Sequence, residues 1–357
     1  MRDFFYAFKV AALFVGTVIG AGFATGEEIK LYFSGGNVFS VVISAALFGV
    51  FSTIFMLLGK VEGIRLGERA KSIVCTIKSV TVFISLVAMT AAADDVIKGS
   101  IGVSGGGILT FLLCYFGLRK GEGKLGWINA VAVPIIVVFL LVVFVRCDFV
   151  LEKDGTFLPV QSLLYSSMNI FTAGMVVTKE GKTMTKRRII FSSILIFVFV
   201  GVLMTGIKLC IGHELSDMPL LYIAKKSGVG RIAEIVIYLA VFTTMLSDVA
   251  ILLPEVRRKI KFEPFVVGFF LFVVVLSNFA GFSFVVEKGY PIIGVCGVIY
   301  LIYAVLSLIL SRHLLFNKGN DSIHSASKST KYNRATHNEV KFEYLPTVND
   351  KKTKSGF

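Results

Sequence analysis

Ten apolar stretches of 18 to 29 residues recur along the chain, separated by short polar segments. They fall near 5–33, 37–59, 73–97, 100–118, 124–146, 160–178, 187–211, 231–254, 264–281 and 289–311. One helix of roughly 20 residues crosses a hydrocarbon core, so each stretch is long enough to be a span. A lipid-exposed backbone must bond to itself, which leaves helices or a closed barrel. Barrel strands would show as short alternating segments, and none is present. The pattern therefore predicts an all-α integral membrane protein of about ten transmembrane helices. Residues 212–230 form a polar loop with a short amphipathic pattern, and Pro219 marks a helix start. Two regions follow from the same pattern: a transmembrane core over 1–312 and a basic cytoplasmic tail over 313–357, too poor in apolar residues to fold alone.

Composition agrees with this division. Of 357 residues 55% are hydrophobic and the mean hydropathy is +0.81, which leaves no room for a large soluble domain. The net charge of +14 would suit a nucleic-acid binder if the cations were clustered on one surface. They instead gather in alternate loops, at Lys60–Lys78, Arg119–Lys124, Lys179–Arg188 and Arg257–Lys261. Placing the N-terminus inside puts 19 Lys and Arg on the cytoplasmic side before the tail and 9 on the other. By the positive-inside rule both termini face the cytoplasm, in a multi-pass protein of the cell membrane whose surroundings are lipid, not nucleic acid. The five cysteines lie in or beside apolar runs without metal-type spacing, and are expected as buried thiols. The four histidines lie outside the spans and form no HExxH pattern, so no enzyme chemistry and no cofactor are expected.

The first span carries the densest chemical signal. Gly16, Gly20, Gly22 and Gly26 weaken one helix at one depth, and Gly20, Ala21 and Gly22 are consecutive small residues. Each interior Gly costs about 1 kcal/mol relative to Ala. Thr25 and Glu28 then have capping-box spacing, which predicts that a helix restarts at Thr25. Two half-helices joined by unwound backbone would expose carbonyls and N–H groups for ions and polar ligands. The competing reading is that Gly16xxxGly20 and Gly22xxxGly26 are close-packing faces. Glu28 is assigned to the cap, and Glu27 becomes the gating or proton-linked group.

The sixth span shows a related weakness. Ser166, Ser167, Asn169 and Thr172 make it the most polar span, and polar groups at membrane depth face a cavity or a partner. Breaks in spans 1 and 6, five apart, predict a 5+5 inverted repeat with both helices interrupted and a midplane solute site. Gly20, Ala21, Gly22, Thr25, Ser166, Ser167 and Asn169 are its expected solute-binding residues, and Ala88, Thr90, Ala91 and Ala92 of span 3 are expected to shape the pocket. In span 8 the adjacent hydroxyls of Thr243 and Thr244, with the Ala240 carbonyl one turn back, have the oxygens a hard cation prefers. Back-bonding of the two threonines is the alternative. Asp248 follows one turn later, as a gate, a proton site or a partner for a cytoplasmic cation.

The stretch GTVIGAGFATGEEI at 16–29 resembles the first-helix signature of the YkvI-like bacterial membrane proteins, within the amino acid–polyamine–organocation superfamily. That resemblance implies a LeuT-type fold working by alternating access. It also implies a Na⁺ site made by the carbonyls of Gly16, Ile19 and Ala240 and the hydroxyls of Thr243 and Thr244. Proton-coupled relatives tend to carry a lysine inside helix 5, and span 5 has none. Glu27 stands where the family usually has Gln, which leaves proton coupling as an alternative. The expected function is a secondary transporter of a small-molecule substrate, an amino acid or related compound, coupled to Na⁺. A solute sensor of the same fold is the other alternative.

Overall fold

The computed structural model describes residues 2–61, 68–119, 125–151 and 155–338. Every regular element among them is a helix, with a single isolated bridge between Gly36 and Thr156. In chain order these are α1 (Arg2–Val18), α2 (Ala21–Thr25), α3 (Glu27–Phe33), α4 (Val38–Lys60), α5 (Glu68–Ile101), α6 (Gly106–Arg119) and α7 (Leu125–Arg146). There follow α8 (Pro159–Gly181), α9 (Lys186–Ile211), α10 (Pro219–Lys226), α11 (Gly230–Lys259), α12 (Glu263–Ala280) and α13 (Phe282–Asn338). Six of these helices (α4, α5, α9, α11, α12 and α13) contain segments long and apolar enough to cross a membrane, and α6 and α7 hold shorter apolar stretches. Residues 313–338 of the expected tail continue α13, and 339–357 lie outside the described residues. The chain divides into compact units at Leu308. All contacts below lie in the first of them.

Local chemistry accounts for many of the boundaries. Asn37 caps α4 by accepting from the Ser40 N–H at 3.1 Å, and Thr185 caps α9 by accepting from the Arg188 N–H at 3.3 Å. Both satisfy donors that a helix start leaves free. Asp94 accepts from the Gly105 and Gly106 N–H groups at 2.6 and 2.9 Å and so opens α6. Pro159 and Pro219 occupy first-turn positions of α8 and α10, where the missing N–H costs nothing.

The expected break in span 6 is absent: α8 runs unbroken from Pro159 to Gly181. Its hydroxyls bond back to the preceding turn and across to α4. Ser162 Oγ donates to the Leu158 and Ser40 carbonyls, both at 2.8 Å. Ser166 Oγ donates to the Ser44 carbonyl at 3.0 Å and lies 2.7 Å from Ser44 Oγ. Polarity here joins two helices and leaves the backbone intact. The same pair packs backbone against backbone at Gly59 and Gly181. A methyl at Gly59 would stand 2.0 Å from the Thr178 carbonyl oxygen, and one at Gly181 would stand 2.2 Å from that of Met56.

The cysteines also depart from expectation. Cys147 and Cys210, 63 residues apart, form a disulfide, while Cys75 is exposed and Cys114 alone is a fully buried thiol. The Val150 N–H bonds to the Leu209 carbonyl at 2.8 Å beside the bridge, so the ends of α7 and α9 meet there.

Candidate solute and ion site

Span 1 is interrupted twice. The first interruption follows Val18, where the Gly20 N–H turns to the Val18 carbonyl at 2.9 Å instead of reaching Gly16. The Gly16 carbonyl thereby loses the donor that an unbroken helix would supply. The next bond, from the Ala24 N–H to the Gly20 carbonyl at 2.9 Å, begins α2, a single turn. The second interruption is Gly26, which has φ 79° and ends α2 while starting α3. Glycine takes this left-handed conformation without the Cβ penalty.

The expected capping box does not form. Thr25 is the last residue of α2; its hydroxyl donates to the Gly22 carbonyl at 3.1 Å and accepts from the Glu27 N–H at 3.4 Å, one residue short of the expected Glu28 N–H, and the N-cap of α3 is Gly26. A left-handed glycine makes the turn that the Thr–Glu pair was expected to make. The two glutamates are placed accordingly. Glu27, expected as a gating or proton-linked group, is 3% exposed, pairs with Lys30 at 2.6 Å and accepts from Ser283 at 2.9 Å. Lys30 also donates to the Ser216 carbonyl at 2.8 Å. Glu28, expected as the cap, is 6% exposed and folds back over Gly22, where a methyl would stand 2.2 Å from its Oε1. Its Oε2 has no hydrogen-bond partner among the described residues.

A cavity of about 440 Å³ opens beneath the first break, within the usual range for a small-molecule site. Residues 16–22 form one wall, with Glu28 beside Gly22. Thr243, Thr244, Ser247 and Asp248 of α11 face them, with Asn169 and Thr172 of α8 on a third side. Three elements far apart in sequence thus share one space. The Thr243 and Thr244 hydroxyls both donate to the Ala240 carbonyl, at 3.0 and 2.9 Å. Their back-bonding leaves the lone pairs of each hydroxyl oxygen open to a cation. A Cβ on Gly20 would stand 3.4 Å from Thr244 Oγ1, which shows how closely the break meets α11.

Of the residues expected to bind solute, Gly20, Ala21, Gly22 and Asn169 line the cavity. Ser166 is turned into α4, and the Ser167 carbonyl lies against Gly297 of α13, where a methyl would stand 2.1 Å away. Thr25 is not among the lining residues. Of the expected ion ligands, Gly16, Ile19, Thr243 and Thr244 line it and Ala240 lies behind the two hydroxyls. Span 3 contributes Thr81, Ser85 and Met89 instead of the expected alanines, and its Thr90 hydroxyl is engaged with Ser277 of α12. Asp248 is 7% exposed and accepts from Ser85 at 2.7 Å, while Arg257 below it pairs with Glu263 at 2.6 Å. Ser85 and Tyr290 had no signal in the sequence beyond being polar atoms inside apolar runs.

No protein-family model matches the chain. It is 21% identical over 324 residues to the uncharacterized membrane protein YkvI of Bacillus subtilis (strain 168), covering 81% of this chain and 92% of that protein. Among solved structures it is similar to Mhp1, a nucleobase-cation-symport-1 family transporter in a closed conformation with bromovinylhydantoin bound. That similarity has a TM-score of 0.49 and 13% identity, over 85% of this chain and 71% of the other. The likeness to YkvI extends over most of the chain, well beyond residues 16–29.

Proposed function

We propose that this protein is a secondary transporter that moves a small polar solute, of amino-acid size, across the cell membrane by alternating access coupled to Na⁺. The observation that carries the reading is the cavity in which the unwound backbone at Gly16–Gly22 meets the paired hydroxyls of Thr243 and Thr244. Unwound backbone at membrane depth is tolerated where it lines a cavity, and such breaks serve ion and substrate sites in transporters.

The packing supports a 5+5 inverted repeat. With α1–α3 counted as one span, the two halves contribute five spans each. The broken span packs on α8, α4 on α9, α5 on α11 and α6 on α12, so first-half spans one to four each meet the equivalent helix of the second half. The cross-contacts match as well: α4 packs on α8 as α1 does on α9, and α5 packs on α12 as α6 does on α11. A two-fold relation between the halves produces such reciprocity. The disulfide supports the orientation, because Cys147 and Cys210 lie on the side that the Lys and Arg distribution places outside, where disulfides persist.

The proposed Na⁺ ligands are the carbonyls of Gly16, Ile19 and Ala240 with the hydroxyls of Thr243 and Thr244. Asn169 and the backbone of Gly20–Gly22 are proposed for the solute. The test is uptake into reconstituted vesicles with and without an inward Na⁺ gradient. Thr243→Ala with Thr244→Ala should abolish the Na⁺ dependence and leave folding intact. Equal uptake driven by a proton gradient in Na⁺-free buffer would refute Na⁺ coupling, and solute binding without any flux would identify a sensor.

A further inference from the structure

Acidic side chains mark the route through the core. Asp95 and Asp217 are exposed on the outer side, within electrostatic reach of one another, and Asp217 is within reach of the buried Glu27. Glu28 and Asp248 stand in the wall of the cavity. The basic lining residues are Lys78 and the exposed Lys179, both toward the cytoplasmic ends of their helices. Lys78 lies seven residues from Ser85 along α5, about 10 Å at helical rise, and Lys179 lies ten residues from Asn169 along α8, about 15 Å. The deep part of the cavity therefore carries two carboxylates and no cation from its own lining.

Glu28 is the decisive group. It is 94% buried, Oε2 has no hydrogen-bond partner among the described residues, and the buried Tyr165 hydroxyl within its reach carries no counter-charge. A buried carboxylate left without a counter-charge is costly, and a cation brought against it relieves that cost. A solute with a carboxylate of its own would add repulsion, which is strong at low dielectric. Beside the hydroxyls and the Asn169 amide already described, the wall offers the carbon and sulfur of Met89, Met168 and Ile293 and the ring of Tyr290. An ammonium group with a hydrocarbon body finds Glu28 for its charge, the Tyr290 ring for a cation–π contact and the methionines for its carbons.

We propose that the cargo of this cavity is a small organic cation, an ammonium whose charge is held by Glu28 at the span 1 break, with Asp248 on the facing wall. The proposal rests on the cavity being the cargo site of a transporter, and it excludes a net-neutral zwitterion as the preferred solute.

Four compounds that share a short hydrocarbon chain and differ in charge test it: n-butylammonium, norvaline, butanol and butyrate. Binding to purified protein in detergent is measured by calorimetry in Na⁺ buffer. The expected result is that n-butylammonium binds at least about tenfold tighter than the other three, and that Glu28→Gln removes that preference. Asp248→Asn should weaken n-butylammonium less and leave the order unchanged. Norvaline or butyrate binding more tightly, no n-butylammonium binding at tens of millimolar, or an unaltered preference in a folded Glu28→Gln protein would each overturn the proposal. Uptake of an uncharged solute in vesicles would refute the cation assignment and leave transport standing. Cation binding with no flux would do the reverse.

Discussion

Gly22→Ala places one methyl at the turn where span 1 restarts. It would stand 2.2 Å from Glu28 Oε1 and 2.7 and 2.8 Å from Cγ and Cδ, where ordinary contact begins at 3.4 Å. The side chain must therefore move by about 1 Å out of a site in which it is almost wholly enclosed. Overpacking of this kind costs about 1–3 kcal/mol. Against it, alanine in a helix gains about 1 kcal/mol over glycine. The single substitution should thus destabilise by about 1 kcal/mol, and Gly22→Ala in a Glu28→Ala background should stabilise by a similar amount. The difference is a coupling energy of about 1–3 kcal/mol, read from a double-mutant cycle. Glu27 points away to Lys30 and Ser283, so the same cycle with Glu27→Ala should be additive within about 0.5 kcal/mol. The assay is reversible unfolding of the purified proteins in mild detergent titrated with dodecyl sulfate, followed by circular dichroism. Additivity with Glu28, or coupling with Glu27, would refute the placement of Glu28 over the break.

Four other outcomes follow from contacts described above. Gly59→Ala meets a backbone carbonyl at 2.0 Å, which cannot rotate away as a side chain can, so a loss of about 3 kcal/mol is expected in the same unfolding assay. Lys30→Met leaves Glu27 buried without its cation. It should cost about 2–4 kcal/mol, with most of the loss recovered by adding Glu27→Gln. In cells expressing a chain whose remaining cysteines are Cys147 and Cys210, an impermeant maleimide should label only after reduction. Labelling confined to inside-out vesicles would reverse the assigned orientation. Cys147→Ser with Cys210→Ser should destabilise by at most about 4 kcal/mol, the chain-entropy value for a loop of this length.

Hydropathy located the apolar helices, six of them with segments long enough to cross a membrane, but not all of their ends: α6 starts six residues after the expected 100, and α13 runs from Phe282 to Asn338 against an expected 289–311. The glycines at 20 and 26 marked both interruptions of span 1, since they are visible as residue types. The direction each neighbouring side chain takes was not visible. Glu27 and Glu28 are adjacent, and a turn of about 100° separates successive side chains on a helix. The left-handed Gly26 decides which one faces the cavity, and its φ is a product of the fold. Ser166 and Asn169 posed the same difficulty: both are polar, but one faces α4 and the other faces the cavity. Counting hydroxyls found the most polar span and misread that polarity as unwinding. The Cys147–Cys210 bridge joins residues whose separation carries no spacing signature, and only the meeting of α7 and α9 brings them together.

Gly26 also bears on how the chain is made. A methyl there would meet Leu220, Ile211 and Pro219, residues that leave the ribosome about 190 positions after it. At ordinary synthesis rates that is a delay on the order of ten seconds or more. Span 1 must enter the bilayer early, carrying two carboxylates and a lysine, before Tyr165, Ser216 or Ser283 exists. Lys30 lies three residues from Glu27 and needs no later partner to pair with it. The segment therefore brings its own counter-ion for one glutamate, while the other waits for the rest of the molecule to form around it.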